Sequence, residues 1–292
     1  MTQPVSLIVT DLDNTLFDWV GVWHASFSAL LNGISTISGI STETLIPEIR
    51  QIHQLYGTSE YAFLIEEIPA LKQKYGPNNL LDRFADPIEA FREARRSTLT
   101  LYPGVMETLT KLRDLGCLIV GYTESMAFYT NYRLRRLDLD LVLDFLFSPP
   151  DHELPAGVTP DQIRRYPPNT YTPRHTVHRQ TPIGEIKPNP ALLLDIVHEV
   201  QGDVSTTLYV GDSLMKDVSM AQRANIRDVW AKYGTAQSRP EYKLLRDVTH
   251  WSAEQVEYEK KLTEQHVRPT FTLDQSFGQL LELFEFIPFR PS

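Results

Sequence analysis

The sequence predicts an α/β fold: a parallel sheet flanked by helices, with a helical domain inserted after the first strand. Three observations point there. Short apolar runs rich in β-branched residues recur along the chain, helical patterns separate most of them, and one intervening segment is far too long and too apolar to be a crossover. The chain has 292 residues with 42% hydrophobic and 22% charged, enough for a normal core and incompatible with disorder throughout.

Five runs are expected as buried strands: residues 6–10, 117–122, 144–148, 206–210 and 227–231. The helical patterns between them cover 105–114, where Val105, Leu109 and Leu112 repeat at helical spacing, then 191–200 and 214–224. In open sheets of this kind, ligands bind beyond the carboxyl ends of the strands. Between strands one and two, Trp23, Phe27, Leu30 and Leu31, then Phe63, Leu64 and Ile68, then Phe84, Ile88 and Phe91 keep helical spacing. The expected organisation is therefore a discontinuous sheet domain, 1–17 and 100–292, around a helical domain at 18–99. Tyr102-Pro103-Gly104 marks the return to the sheet.

A second insert runs over about 149–182. Its prolines forbid regular helix or a central strand, so a long extended loop is expected. It also carries Arg164, Arg165, Arg174, Arg179, His175 and His178, read as solvated loop residues rather than as a metal site or a steering patch. Residues 237–266 read as charged helix, 271–273 as a last short strand and 276–284 as a last helix.

The net charge of -9 argues against a nucleic-acid or anionic-membrane binder. The single cysteine, Cys117, rules out an internal disulfide and a cysteine-built zinc site, and reads as a small buried hydrophobe. No basic n-region with a cleavage site is visible at the N-terminus, and no window holds the ~18 apolar residues of a membrane span. A soluble cytoplasmic protein is expected.

Acids collect at predicted strand ends. Strand one runs into Asp11-Leu12-Asp13-Asn14-Thr15, and strand period puts Asp11 and Asp13 on one side. Two acids that close should raise one pKa and attract a hard cation. Strand four runs into Gly211-Asp212-Ser213 and, a helical turn on, Asp217. Strand two ends in Thr123-Glu124-Ser125 at a helix start, a place that stabilises anions. Lys187 precedes Pro188-Asn189-Pro190 just upstream of a helix. Such a set suits phosphoryl transfer, which needs a carboxylate nucleophile, a proton donor, a divalent cation, and a hydroxyl and ammonium for the remaining charge.

In these motifs, present in order, the sequence resembles the haloacid dehalogenase (HAD) superfamily. Asp11 to Thr15 looks like its first motif, Thr123 its second, Lys187 its third, and Gly211-Asp212-Ser213 through Asp217 its fourth. The resemblance implies a Rossmann-like core and, for residues 18–99, a C1-type cap of the kind found in phosphoglycolate-phosphatase-like members. Within that cap Trp19, Trp23 and His24 read as packing residues, and Tyr56-Gly57-Thr58 as a candidate specificity loop. It implies Asp11 as nucleophile and Asp13 as general acid and base. It implies magnesium held by Asp11, the backbone carbonyl of Asp13, and Asp212. Asp217 would orient the metal's shell or Lys187, while Thr123 and Lys187 would grip the phosphoryl group.

One departure stands out. Many relatives carry Asn after the second-motif Thr, where this chain has Glu124. An anion there costs phosphate affinity unless it points away or meets a substrate cation. Glu124 is therefore kept as a substrate-binding candidate beside its reading as a helix-start acid. The implied activity is a magnesium-dependent phosphatase acting on a small phosphorylated metabolite. The alternatives are a phosphomutase, a dehalogenase or a non-catalytic binding protein on the same fold.

Overall fold

The computed structural model describes residues 4–151, 153–154, 157–159, 164–251 and 267–292. Among the described residues seven parallel strands form one sheet: β1 (Leu7–Thr10), β2 (Leu118–Tyr122), β3 (Phe145–Ser148), β4 (Val177–Gln180), β5 (Thr207–Gly211), β6 (Arg227–Trp230) and β7 (Phe271–Thr272), in the order β4-β3-β2-β1-β5-β6-β7. The chain builds outward from β1 to one edge, then returns to β1's other side. The strand order therefore reverses at β1, between β2 and β5, which is where an open sheet leaves a crevice at its carboxyl end.

β1 is fully buried along its length, as a strand covered on both faces must be, and this explains its continuous apolar reading. Strand period sends Leu7 and Val9, Val120 and Tyr122, and Tyr209 into one apolar cluster. Leu193, Ile196 and Val197 of the helix Pro190–Glu199 and Met220 and Ala221 of the helix Ser219–Arg223 close over it. Cys117 is buried and free, and burial pushes its thiol up to about 11, which suits a packing residue rather than a nucleophile.

Contacts divide the chain into two compact units. One is Met1–Asp18, Thr100–Thr235 and Lys261–Ser292, which holds the sheet; the other is Trp19–Leu99 with Ala236–Lys260. The second unit is helical. Its helices Trp19–Ser38 and Ala85–Thr98 pack on each other so closely that a Cβ at Gly33 would stand 2.8 Å from Pro87. Trp23 stacks on Phe27 with ring centroids 4.6 Å apart. Residues 236–251 were expected to stay with the sheet. The helix Tyr242–Val248 instead packs on the helix Thr42–Tyr56, where the buried His53 Nδ1 lies 2.7 Å from the Val248 carbonyl. Burial pushes the His53 pKa down to about 4 against the pull of that carbonyl. The rest of the predicted charged helix, 252–266, lies outside the described residues.

The insert at 149–182 corrects the sequence reading in one place. It was expected as loop, but its proline-free stretch forms the edge strand β4 beside β3. Edge strands need no continuous apolar run, and three of the four β4 residues are exposed. The insert is anchored by Asp140, which is 1% exposed and whose carboxylate accepts the backbone N–H groups of Arg174, His175 and Thr176 at 2.9–3.1 Å and the Arg135 guanidinium at 2.8 Å. Burial works against the charge, but these donors outweigh it and hold the Asp140 carboxyl well below the usual carboxylate range.

The helix expected at 214–224 opens as a π-turn, Leu214–Val218, before the short helix Ser219–Arg223. The last expected helix begins as a 3₁₀ turn, Phe277–Gln279, with a capping box at Ser276. Among the described residues no helix is long and apolar enough to cross a membrane.

Replacing Asp140 by Asn turns an amide group toward donors that now meet a carboxylate. The expected loss is about 1–3 kcal/mol, the usual cost of buried donors left unpaired. Because the folded pKa is depressed, the wild-type contribution is present in full above the ordinary Asp range and is lost as the pH falls from that range through the lower folded pKa. Urea unfolding of both proteins at neutral and acid pH measures this; equal stability at neutral pH refutes the anchor.

Candidate active site

The three central strands end side by side. Thr10 of β1 lies opposite Gly121 of β2 and Val210 of β5, so Asp11, Tyr122 and Gly211 come next in register. The Asp11 amide continues the ladder by donating to the Val210 carbonyl at 2.8 Å, which fixes the backbone at the residue where the strand ends. The chain then turns sharply. Leu16 N–H bonds to the Leu12 carbonyl, and Asn14 takes a left-handed φ of 58°.

This turn is held from β6's side by the segment after it. Tyr233 Oη donates to the Thr15 carbonyl at 2.6 Å, and a Cβ on Gly234 would lie 1.7 Å from the Asn14 carbonyl oxygen, so only glycine fits.

Lys187 occupies the centre. It is 3% exposed, and its Nζ donates to Asp11 Oδ1 at 2.5 Å and Asp217 Oδ1 at 3.0 Å. The ammonium also lies 4.8 Å from the Tyr122 ring centroid and 5.6 Å from that of Tyr209. Burial alone would lower its pKa, but Asp11 and Asp217 outweigh it and keep the lysine charged well above its ordinary value.

Asp217 is fully engaged. Tyr209 Oη donates to its Oδ1 at 2.8 Å and the Ser213 amide to its Oδ2 at 3.1 Å. Its side chain lies against the Gly211 backbone, where an added Cβ would come within 2.3 Å of Asp217 Cγ, so glycine ends β5 because the carboxylate needs that space.

Asp11, Asp212 and Asp217 each bring an oxygen within 4.8 Å of the others. Burial raises the Asp11 pKa to about 7; Lys187 pulls it down, while Asp217 and Asp13 add to the rise. Asp212 rises well above the carboxylate range through burial and then through Asp217 and Asp11. No hydrogen bond reaches the Asp212 carboxylate among the described residues. Three buried acids and one lysine leave negative charge uncompensated, and oxygen donors that close suit a hard divalent cation such as magnesium. By their chemistry, the residues present fit one.

Asp13 sits apart from that trio. β1 ends at Thr10 and Asp13 forms an isolated bridge with Phe17 around the turn, so strand period does not extend to it, while its charge still adds to the Asp11 rise as a close acid should. Its Oδ2 accepts Ser125 Oγ at 2.5 Å and Thr123 Oγ1 at 3.2 Å, and its Oδ1 accepts the buried Arg133 guanidinium at 3.3 Å. The Asp11 shift is accordingly set first by burial and only third among the neighbouring charges by Asp13. Thr123 therefore meets Asp13, and its Oγ1 also accepts the Ser125 amide at 3.0 Å.

Glu124 is paired within the protein. Its Oε1 accepts the Lys187 backbone amide at 2.9 Å and its Oε2 the Lys216 ammonium at 2.6 Å.

The sequence reading had Ser125 only as a helix-start hydroxyl, and it missed Arg133, Lys216, Tyr122 and Tyr209. One signal was legible: Arg133 shares a helical face with Thr130 and Leu134, a buried stripe in which an arginine needs a partner.

Comparison with known proteins agrees with this geometry. The haloacid dehalogenase-like hydrolase family matches residues 5–166, and the HAD-hydrolase-like family matches 186–257. A glyceraldehyde 3-phosphate phosphatase from Methanopyrus kandleri is 23% identical over 238 residues, covering 80% of this chain and 86% of its own. Among solved structures, a 2-haloacid dehalogenase from Pseudomonas syringae superposes with a TM-score of 0.54 at 19% identity, covering 96% of this chain and 97% of that one. A HAD-hydrolase from Bacillus subtilis, bound to magnesium, gives 0.51 at 14% identity over 96% and 99%. With a family match over more than half its length and a parallel sheet carrying these acids at its switch point, the chain belongs to the haloacid dehalogenase-like hydrolase family.

Proposed function

We propose that this hydrolase is a phosphatase that cleaves a small phosphorylated metabolite through a phosphoryl-Asp11 intermediate. The observation that supports it most is the separation of two neighbouring carboxylates into different environments. Asp11 meets the Lys187 ammonium, while Asp13 meets two hydroxyls and Arg133. A nucleophile and a proton carrier need such a division, because one must bond to phosphorus while the other exchanges protons.

In the first step a carboxylate oxygen of Asp11 attacks phosphorus. The bond from phosphorus to the ester oxygen breaks, and Asp13 gives its proton to the leaving alkoxide. In the second step Asp13 takes a proton from water as that water attacks the same phosphorus. The bond to Asp11 breaks, releasing phosphate and restoring the carboxylate. Lys187 balances charge on Asp11 and on the phosphoryl oxygens, Asp217 keeps Lys187 aimed, and Thr123, whose hydroxyl meets Asp13, is assigned to grip the phosphoryl group. Asp11 and Asp212, with the Asp13 carbonyl, would hold a magnesium ion, which would supply the positive charge that lets a phosphate dianion enter among these acids.

The helical segment 18–99 is assigned as the C1-type cap that selects the substrate. Glyceraldehyde 3-phosphate, named for the Methanopyrus relative, is the first compound to assay. The buried, free Cys117 fits a reducing cytoplasmic setting.

Phosphate release from a panel of metabolite phosphates, with magnesium and with chelator, tests the reading. Asp11→Asn is expected to lose activity by several orders of magnitude. Asp13→Asn is expected to slow alkyl phosphates by about 10²–10⁴-fold. With p-nitrophenyl phosphate, a good leaving group, it should give a burst of nitrophenol and then a slow steady state. Near-wild-type turnover of alkyl phosphates by Asp13→Asn overturns the acid–base assignment.

Cation binding has a separate readout. Burial raises the Asp11 pKa to about 7 and the Asp212 pKa above the ordinary carboxylate range, so Asp11 is protonated in part near neutral pH, and a protonated acid is a poor ligand. Magnesium is therefore expected to release protons and to bind more tightly as the pH rises through about 7. Calorimetric titrations in two buffers of different ionisation heat measure this; affinity independent of pH with no proton release contradicts it.

A further inference from the structure

The segment that carries Lys187 has little else to hold it. Between Gln180, which ends β4, and the helix starting at Pro190, the backbone bonds are Thr181 to Ser148 and Glu185 to Pro182. Pro182, Pro188 and Pro190 have no amide hydrogen to give. Apolar packing does not anchor it either: Ile183 is 85% exposed and Ile186 is 56% exposed, directly before a lysine that is 3% exposed. The Nζ end of Lys187 is fixed by Asp11 and Asp217. At its backbone end, the Lys187 amide donates to Glu124 Oε1.

Glu124 is itself placed by Lys216, which stands beside Asp217 in the π-turn after β5. One carboxylate thus joins the loop after β2, the Lys187 segment and the turn that carries Asp217. The same pairing answers the objection to an acid beside the second-motif threonine. Lys216 cancels the charge of Glu124, and with both oxygens taken the carboxylate is not offered to a phosphoryl group. Burial would raise the Glu124 pKa, but Lys216 and then Lys187 outweigh it and keep the group ionised below its ordinary value.

We propose that Glu124 is a positioning residue: it locks the Lys187 backbone, with Lys216 as its counter-ion, and so sets where the Lys187 ammonium meets Asp11 and the phosphoryl group. The proposal rests on the phosphatase reading for its effect on rate and on geometry alone for its effect on the loop.

The two are read separately. Hydrogen exchange of the full-length protein, followed by mass spectrometry over residues 183–189, reports the Lys187 amide without turnover. Kinetics with p-nitrophenyl phosphate and magnesium report the site. Glu124→Ala is expected to speed exchange at the Lys187 amide by at least about tenfold. It should also lower kcat/KM about 10–100-fold, mostly through kcat, since small displacements of a reacting group carry penalties of that order. Glu124→Gln keeps an acceptor for the amide; it is expected to retain the protection and recover kcat/KM to within a few-fold of wild type. Glu124→Asp, one methylene shorter, cannot span the amide and Lys216 together. It is expected to follow the alanine variant, and it carries the test if that variant does not fold. Wild-type exchange at Lys187 in the alanine or aspartate variant, or unchanged kcat/KM in either, overturns the proposal. A wild-type protein that releases no phosphate defeats the phosphatase reading instead, and the exchange comparison still decides whether Glu124 locks the loop.

Discussion

The Lys187 ammonium between Asp11 and Asp217 is the contact on which the rest of the site depends. Three buried acids near one point repel one another, and burial together with that repulsion raises the Asp11 and Asp212 pKa values. A buried ammonium 2.5 Å from one and 3.0 Å from another keeps part of that charge in place. The lysine in turn tolerates burial because both carboxylates and two tyrosine rings surround it. Removing either acid would leave a buried cation short of a partner. The arrangement is therefore mutually enforced, and among the described residues no hydrogen bond reaches the Asp212 carboxylate. Three acid oxygens within 4.8 Å of one another around a single lysine fit the chemistry of a hard cation better than that of a closed salt bridge.

The sheet order determines which residues take part. With β1 in the middle and the chain reversing direction of growth there, the segments after β1, β2 and β5 converge. Asp11, Thr123 and Asp212 each follow directly on one of these strands. Lys187 arrives from farther away, from the segment after the edge strand β4. It has no ladder to place it, which is why it needs bonds at both ends of the residue. Glycines act at the closest approaches: Gly211 makes room for Asp217, and Gly234 for the Asn14 carbonyl.

How much of this was legible in the sequence follows from the kind of force involved. The central strands were readable to within a residue because they are buried on both faces and read as continuous apolar runs. β4 was not, since an edge strand in a proline-rich insert has an exposed, polar pattern. The acids at strand ends were readable from residue type and position alone. Their partners were not. Asp140 meets amides more than thirty residues away, Glu124 an amide 63 residues away, and Tyr209 and Arg133 contribute only their polar tips. A backbone amide carries no sequence signature, so an acid whose purpose is to hold one looks like any surface acid. Period-two reasoning about Asp11 and Asp13 holds only while the strand lasts, and β1 stops at Thr10, although the Asp13 charge still adds to the rise at Asp11.

The end of β1 at Thr10 also bears on chemistry. Had the strand continued, Asp11 and Asp13 would share one face and one set of neighbours, and each would perturb the other most. The turn after Asp11, held by Asn14's left-handed backbone and by Tyr233, rotates Asp13 toward Ser125, Thr123 and Arg133. Two carboxylates separated by a single residue thus come under different influences: a lysine and buried acids for one, hydroxyls and an arginine for the other. A nucleophile benefits from a fixed cation that steadies its charge. A proton carrier benefits from hydroxyl partners that reorient at little cost as its proton comes and goes. In the proposed mechanism that division of labour is built into a tight turn of a few residues, and the glycine at 234 lets this turn close.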